Sequence, residues 1–300
     1  MKRTLASAAW FLTIYTVAVI VWGAFVRATG AGAGCGSHWP LCNGEVLPRS
    51  PGLDTIIEFT HRVTSGLLGL LVAGFTVWSF RARPKGHAVR KGAVAILGFV
   101  VLESLVGAGL VKFEWVAADA SVERVVVMAF HLVNTMLLVA ALVMTAWFAE
   151  GEHRPRPRAG RGVTVALVAA ALGLVLTGSS GAVTALGDTL VLFQGVSPED
   201  SAVVARLVAS RFYHPTTAAV VLALLWWAVS RASVAGSALA GRYGRLLLAV
   251  FFAQLASGVV NVWLKAPVWM QLVHLTLSNI VWILFVLMAA HTWGERTLVT

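Results

Sequence analysis

Four of the eight histidines in this 300-residue chain, His61, His131, His214 and His274, stand inside apolar stretches, whereas His87 and His153 lie among basic residues and His291 close to another. An imidazole in hydrocarbon is costly unless a neighbouring helix hydrogen-bonds it or a metal binds it. A lone histidine in such a place is ordinarily a packing residue. Here the residue recurs twice in each half of the chain, each time about two turns into an apolar helix. Axial ligation of a metalloporphyrin needs this arrangement, because two ligands must reach one iron from opposite faces, and facing helices of a four-helix bundle supply them. Zinc would need a third or fourth nitrogen or sulfur ligand close by. A di-iron carboxylate site would need two Glu-x-x-His motifs with further glutamates, and only EFTH at 58–61 lies in an apolar stretch.

The two halves differ beside these histidines. EFTH places Glu58 and His61 near one helical face, while the matching RFYH at 211–214 has Arg211 in the acid's place. An acid beside one iron suits proton handling during chemistry, and an arginine beside the other suits a haem propionate. The plainer reading of Glu58 is a carboxylate stabilised at a helix N-terminus. Arg27 and Arg62 can pair with propionates or snorkel to the interface. Glu103, matched by Gln254 in the second half, is either part of a proton route or a neutral hydrogen-bonding group. Gly107, Gly109 and Gly258, with the small residues after Thr29 and Thr177, permit close approach of helices or of a flat ligand.

These residues need a scaffold that holds them at one depth. The chain is 58% hydrophobic and 12% charged, with apolar runs of about twenty residues throughout, the pattern of an all-α polytopic membrane protein. Eight transmembrane helices are expected, at about 8–28, 55–79, 92–112, 124–148, 163–184, 204–229, 245–264 and 268–292. The basic start resembles a signal peptide, but the apolar run is too long for one and is read as a retained first helix. Lys2, Arg3, the stretches at 81–91 and 153–161, Arg231, Arg242, Arg245 and Arg296 fall on one side, and Glu45, Asp54, Glu114, Asp119, Asp188, Glu199 and Asp200 on the other. The positive-inside rule then makes both termini cytoplasmic, so the net charge of +10 is a topology signal and calls for no nucleic acid.

Internal repetition divides the chain. TGAGAG (29–34) is expected to end the first helix as TGSSGA (177–182) ends the fifth; EFTH matches RFYH, ESLVGAG (103–109) matches QLASGVV (254–260), and FHLVNT (130–135) matches VHLTLS (273–278). The matches keep one order, giving two pseudo-symmetric four-helix bundles at 1–148 and 163–300 joined by a cytoplasmic linker at 149–162.

The cysteine-containing loop GCGSHWPLCNG, EFTHR opening the second helix, and the histidines of helices four, six and eight together resemble haem A synthase from about residue 10 to residue 292. The resemblance implies oxidation of the C8 methyl group of haem O to the formyl group of haem A, which terminal cytochrome oxidases use. It makes His61 and His131 ligands of the substrate haem O iron in the N-terminal bundle and Glu58 the catalytic acid. It makes His214 and His274 ligands of a resident haem b in the C-terminal bundle. Cys35 and Cys42 match the family's disulfide pair in an extracytoplasmic loop. That bond is either a staple over the first bundle or a redox-active pair. Some relatives carry a second pair after helix five, where this chain reads ALGDTLVLFQGVSPED and has no cysteine. A location in the cytoplasmic membrane and contact with the protohaem farnesyltransferase that makes haem O follow from the same resemblance; oligomeric state is not readable. Two other classes fit the histidines or the repeat: a bis-haem b electron carrier linked to quinone, and a transporter. A pure carrier has no use for an acid in one half only, which makes Glu58 the discriminating residue.

Overall fold

A computed structural model describes residues 2–151, 153–155 and 160–296. Among them, helices α1 (Lys2–Thr29), α2 (Leu53–Ala82), α3 (Ala88–Lys112), α4 (Val122–Glu150), α5 (Arg161–Leu192), α6 (Ala202–Ala209), α7 (Tyr213–Ala235), α8 (Ala238–Trp263) and α9 (Val268–Trp293) form eight spans long and apolar enough to cross a membrane, with α6 and α7 sharing the sixth. Helices satisfy their own backbone polar groups, as a hydrocarbon environment demands. Helix starts carry the residues that cap orphan N–H groups: Ser121, Ser201 and Ser237 accept from the backbone N–H groups of Arg124, Val204 and Ala240. A three-residue antiparallel ladder, β1 (His153–Pro155) with β2 (Gly294–Arg296), ties the start of the linker to the segment after α9. Arg156 and Arg158 of the basic linker lie outside the described residues.

Three expectations need correction. The fifth helix runs to Leu192, so TGSSGA lies inside it and the stretch ALGDTLVL is helical. Nothing in that stretch breaks a helix, since the first strong turn signal is Gly195 in the left-handed region (φ 67°). The sixth span begins nine residues before RFYH, at Ala202, and a 3-10 turn at Ser210–Phe212 interrupts it immediately before His214. The first and seventh helices each start six or seven residues earlier than their apolar runs, at Lys2 and Ala238, because polar ends also propagate a helix once the apolar part is docked.

The first four helices pack α1 against α2 and α4, and α3 against α2 and α4; the last four pack α7 against α5 and α8, and α9 against α8, while α4 and α1 meet α5 and α9 across the middle. Each group has its largest buried core toward one end, with a smaller cluster at the other: Val26, Ala31 and Ile57 in the first group, and Leu186, Leu190, Val204 and Leu207 in the second. In the first, the buried core comes from Leu5, Ala9 and Leu12 of α1, Val72 and Phe75 of α2, Ala93 and Ile96 of α3, and Leu138 and Leu142 of α4. In the second it comes from Leu167 and Ala170, Val221 and Leu225, Leu247 and Phe251, and Phe285 and Met288. These residues fall early in α1, α3, α5 and α8 and late in the others, so both cores sit toward the end that carries the chain termini. The four histidines sit in the other tier, and all four are only half-buried. Outward-facing Ile14, Leu70, Leu105, Leu172 and Val259 leave an apolar exterior, as a lipid-facing surface requires.

Glycine permits the close approaches in the tight tier: a Cβ on Gly173 of α5 would stand 2.8 Å from Val221 Cγ2 of α7. Gly98 of α3, by contrast, has nothing within 4 Å. Gly173→Leu is therefore expected to destabilise by about 1–3 kcal/mol through overpacking, read as a lower Tm in detergent, while Gly98→Leu leaves the Tm unchanged or higher.

Candidate active site

In the second half, the His214 and His274 rings face each other with centroids 6.2 Å apart. The backbone carbonyl of Thr177 and the hydroxyl of Ser180, both on α5, lie 3.1 and 3.2 Å from His214 Nδ1. Ser257 Oγ lies 2.8 Å from His274 Nδ1, and Gln254 Nε2 is 3.0 Å from its Nε2. Glycines make room for the rings: a Cβ on Gly181 would fall 2.8 Å from His214 Cε1, and one on Gly258 3.1 Å from His274 Cε1. Contacts at Nδ1 orient both rings in the way protein ligands are oriented toward a metal, while Gln254 occupies Nε2 of His274 and would have to release it for that nitrogen to bind iron.

In the first half, Gly23 of α1 does for His61 what Gly181 does for His214, since its Cβ would meet His61 Cε1 at 2.9 Å. Gly181, within TGSSGA, therefore holds a place matched in the first half by Gly23 and not by a residue of TGAGAG. His61 lies within electrostatic reach of His131, and neither Nδ1 has a hydrogen-bond partner among the described residues. Glu103 Oε2 approaches His131 Nδ1 at 3.5 Å.

Glu58 is almost wholly buried, 3% exposed. Its Oε2 accepts from the backbone N–H of Cys35 at 2.7 Å, and its Oε1 accepts from Arg62 Nε at 3.1 Å and Nη2 at 2.5 Å. Arg62 also donates through Nη1 to the carbonyls of His38 (2.5 Å) and Leu41 (2.6 Å). Cys35 and Cys42 are joined by a disulfide and buried, closing the ring that contains His38 and the cis Trp39–Pro40 bond; the His38 side chain itself points to solvent. Gly34 lets this loop lie directly on the start of α2, for a Cβ there would stand 2.4 Å from the Asp54 carbonyl carbon. The acid, the arginine and the disulfide loop are thus one unit, seated one turn above His61.

The remaining arginines have protein partners. Arg211 Nη2 pairs with Asp188 Oδ1 at 2.6 Å, so the helical extension of α5 supplies the acid that RFYH lacks. Arg27 reaches across the midline to the Ala185 carbonyl (2.7 Å) and Thr189 Oγ1 (2.6 Å) of α5 and to Gln271 Oε1 (3.1 Å) of α9. Buried Arg124 donates to the carbonyls of Ala117 and Asp119. Sequence reasoning missed Gly23, Ser180, Ser257 and Asp188. The signal for Ser257 was present, because it falls with Gln254 and Gly258 at i, i+3 and i+4 on one helical face.

Two facing imidazoles suffice for an iron whose other ligands are porphyrin nitrogens. A bare ion wants more side chains, and no group of three or more His, Cys, Asp or Glu side chains among the described residues is arranged to hold one. The ring spacing in the second half, the held Nδ1 atoms, the glycine faces and the loosely packed tier fit a haem between His214 and His274. The first half offers the same framework with a carboxylate on each side of it.

Because Arg62 ties the loop to Glu58 through hydrogen bonds that carry charge, and such bonds contribute about 1.5–3 kcal/mol each, Arg62→Ala is expected to raise local opening of the loop roughly tenfold or more. Reduction of the disulfide by a small thiol, followed by maleimide mass shift, will accelerate by that factor; an unchanged rate would mean that Arg62 does not hold the loop.

Comparison with known proteins places the chain in a family. Residues 6–286 match the COX15-CtaA family model, described as cytochrome oxidase assembly protein. The chain is 48% identical over 294 residues to a protoheme IX farnesyltransferase of Thermus thermophilus, covering 95% of this chain and 48% of that protein. It is 30% identical over 235 residues to a heme A synthase of Halalkalibacterium halodurans, covering 75% of each, and 37% identical over 149 residues to one of Geobacillus kaustophilus, covering 48% of this chain and 43% of that one. The chain spans about half the length of the Thermus relatives it matches. By the match across nearly its whole length, the chain belongs to the COX15-CtaA family of cytochrome oxidase assembly proteins.

Proposed function

We propose that this chain is a membrane-embedded oxidoreductase of the haem A synthase type, with haem O as substrate in the N-terminal half (1–148) and a resident haem b in the C-terminal half (163–300). The observation that carries the reading is the pairing of two similar histidine frameworks with only one buried Glu58, placed a turn from His61. The heme A synthase names of the relatives support the same reaction class. The farnesyltransferase name belongs to a protein of which this chain matches 48%. An enzyme of that type supplies a farnesylated haem, which makes it a fitting partner.

Conversion of a methyl to a formyl group, by successive hydroxylations, is a four-electron oxidation of the carbon that exchanges two hydrogens for one oxygen and needs an oxidant from outside this chain. A haem b held by His214 and His274 supplies one-electron chemistry and relay. His61 and His131 would hold the substrate haem in the half that contains Glu58. Glu58 takes up protons released there, and its hydrogen bonds to Cys35 N–H and Arg62 hold the carboxylate in one orientation. The disulfide loop excludes bulk water from that side. Arg211 and Asp188, satisfied by each other, leave the second half without a free acid beside the iron, which suits a cofactor that does not itself react. Positive-inside orientation puts the termini in the cytoplasm and the Cys35–Cys42 loop outside the cytoplasmic membrane.

Chromatographic haem assay after expression beside a haem O supply tests this. His214→Ala is expected to lose haem b, and His61→Ala to keep haem b while making no haem A. Glu58→Gln, which preserves an acceptor for the Cys35 N–H, should retain both haems and lower turnover by about 10²-fold or more. Full activity in Glu58→Gln, or haem b as the sole haem in the wild type, would leave the bis-haem electron carrier as the better account.

A further inference from the structure

Glu103 lies in the membrane-spanning part of α3 and is unusually well held. Asn134 Nδ2 donates to its Oε2, and the Thr135 hydroxyl bridges its Oε1 and the His131 carbonyl. Asn134 Nδ2 also donates to the Phe99 carbonyl at 3.0 Å. Both donors come from the helical turn that follows His131, so one turn of α4 carries the imidazole and also the groups that aim the carboxylate at it. Oε2 stands 3.5 Å from His131 Nδ1, a buried nitrogen with no hydrogen-bond partner among the described residues. The corresponding position in the second half is Gln254, and there the Nδ1 of His274 is met by a neutral hydroxyl, Ser257.

We propose that Glu103 is the positioning residue for His131, the carboxylate toward which Nδ1–H points, so that Nε2 is the nitrogen presented to the iron. This rests on the assignment of His131 as an axial ligand to the substrate haem. A carboxylate behind an imidazole fixes the ring and makes it a stronger donor to a metal. A hydroxyl at Nδ1, such as Ser257 beside His274, does so less. The two halves therefore bind chemically similar haems through ligands of unequal donor strength, with the more electron-rich iron on the side where the methyl group is oxidised. Glu58 and Glu103 then divide the work in the first half: one faces the reacting edge, and the other lies behind the ligand.

Redox titration of the purified haem-loaded protein, with electron paramagnetic resonance of the oxidised form, resolves the two low-spin haems and tests this. His61→Ala and His214→Ala assign the signals. Glu103→Gln, which is isosteric, is expected to keep both haems, raise the midpoint potential of the N-terminal haem, change its g-values, and leave the C-terminal haem untouched. Thr135→Val, which frees the carboxylate without contacting the iron, should shift the same haem in the same direction by less. Retention of wild-type potential and g-values in Glu103→Gln would overturn the proposal and leave the functional reading standing. If that variant does not assemble, an unshifted Thr135→Val overturns it. A wild-type protein with no N-terminal haem would instead sink the functional reading and this inference together.

Discussion

The contact of a glycine face with an imidazole edge governs how this molecule is built. Gly23, Gly181 and Gly258 each stand where any Cβ would press on a histidine ring of the neighbouring helix. The rings therefore fill space that side chains would otherwise occupy, and the helices at that level are spaced by imidazole rather than by leucine or valine. Such spacing cannot hold a bundle together unaided, since attraction between membrane helices comes largely from close packing. The tight cores at the opposite end supply that attraction, with Ile96, Leu138 and Leu142 in one half and Leu225, Leu247 and Met288 in the other fully buried or nearly so. One tier of each half packs and the other receives.

On this shared plan the halves diverge through charge. In the first, an acid, an arginine and a disulfide loop form a closed unit above His61, with a second carboxylate behind His131. In the second, Arg211 pairs with Asp188, and the histidines are held by hydroxyl, carbonyl and amide groups. A duplicated scaffold thus holds two environments of different polarity at one depth. The fourth histidine fits the same logic. A Cβ on Gly107, which matches Gly258, would meet nothing within 4 Å, and His131 lies beside Glu103 instead.

Much of this was legible in the sequence because membrane burial enforces strong rules. Uninterrupted apolar runs gave eight spans at the right places, and the four histidines fell in even-numbered spans. Helix ends were less legible, because propagation beyond the apolar run costs little once a helix is docked; α5 continued to Leu192 and carried Asp188 into contact with Arg211. The sixth span carried a signal that was overlooked: its 3-10 turn at Ser210–Phe212 stands just ahead of Pro215, which has no N–H to donate to the Arg211 carbonyl. Partners of the arginines were hidden as well. Arg27 looked like a group at the water boundary, but its acceptors on α5 and α9 lie more than 150 residues away in the chain.

The contacts that join distant parts of this chain share one property: many end on the backbone. Arg27 donates to the Ala185 carbonyl, Trp282 Nε1 to that of Met136 at 2.8 Å, and Arg62 to those of His38 and Leu41. A carbonyl oxygen is the same whatever side chain its residue bears. Substitution at 185, 136, 38 or 41 therefore leaves the acceptor in place, and the donor is under no pressure to change with it. The seam between the halves and the anchoring of the loop can persist while the accepting positions drift freely, leaving no correlated changes between the joined positions in divergent relatives.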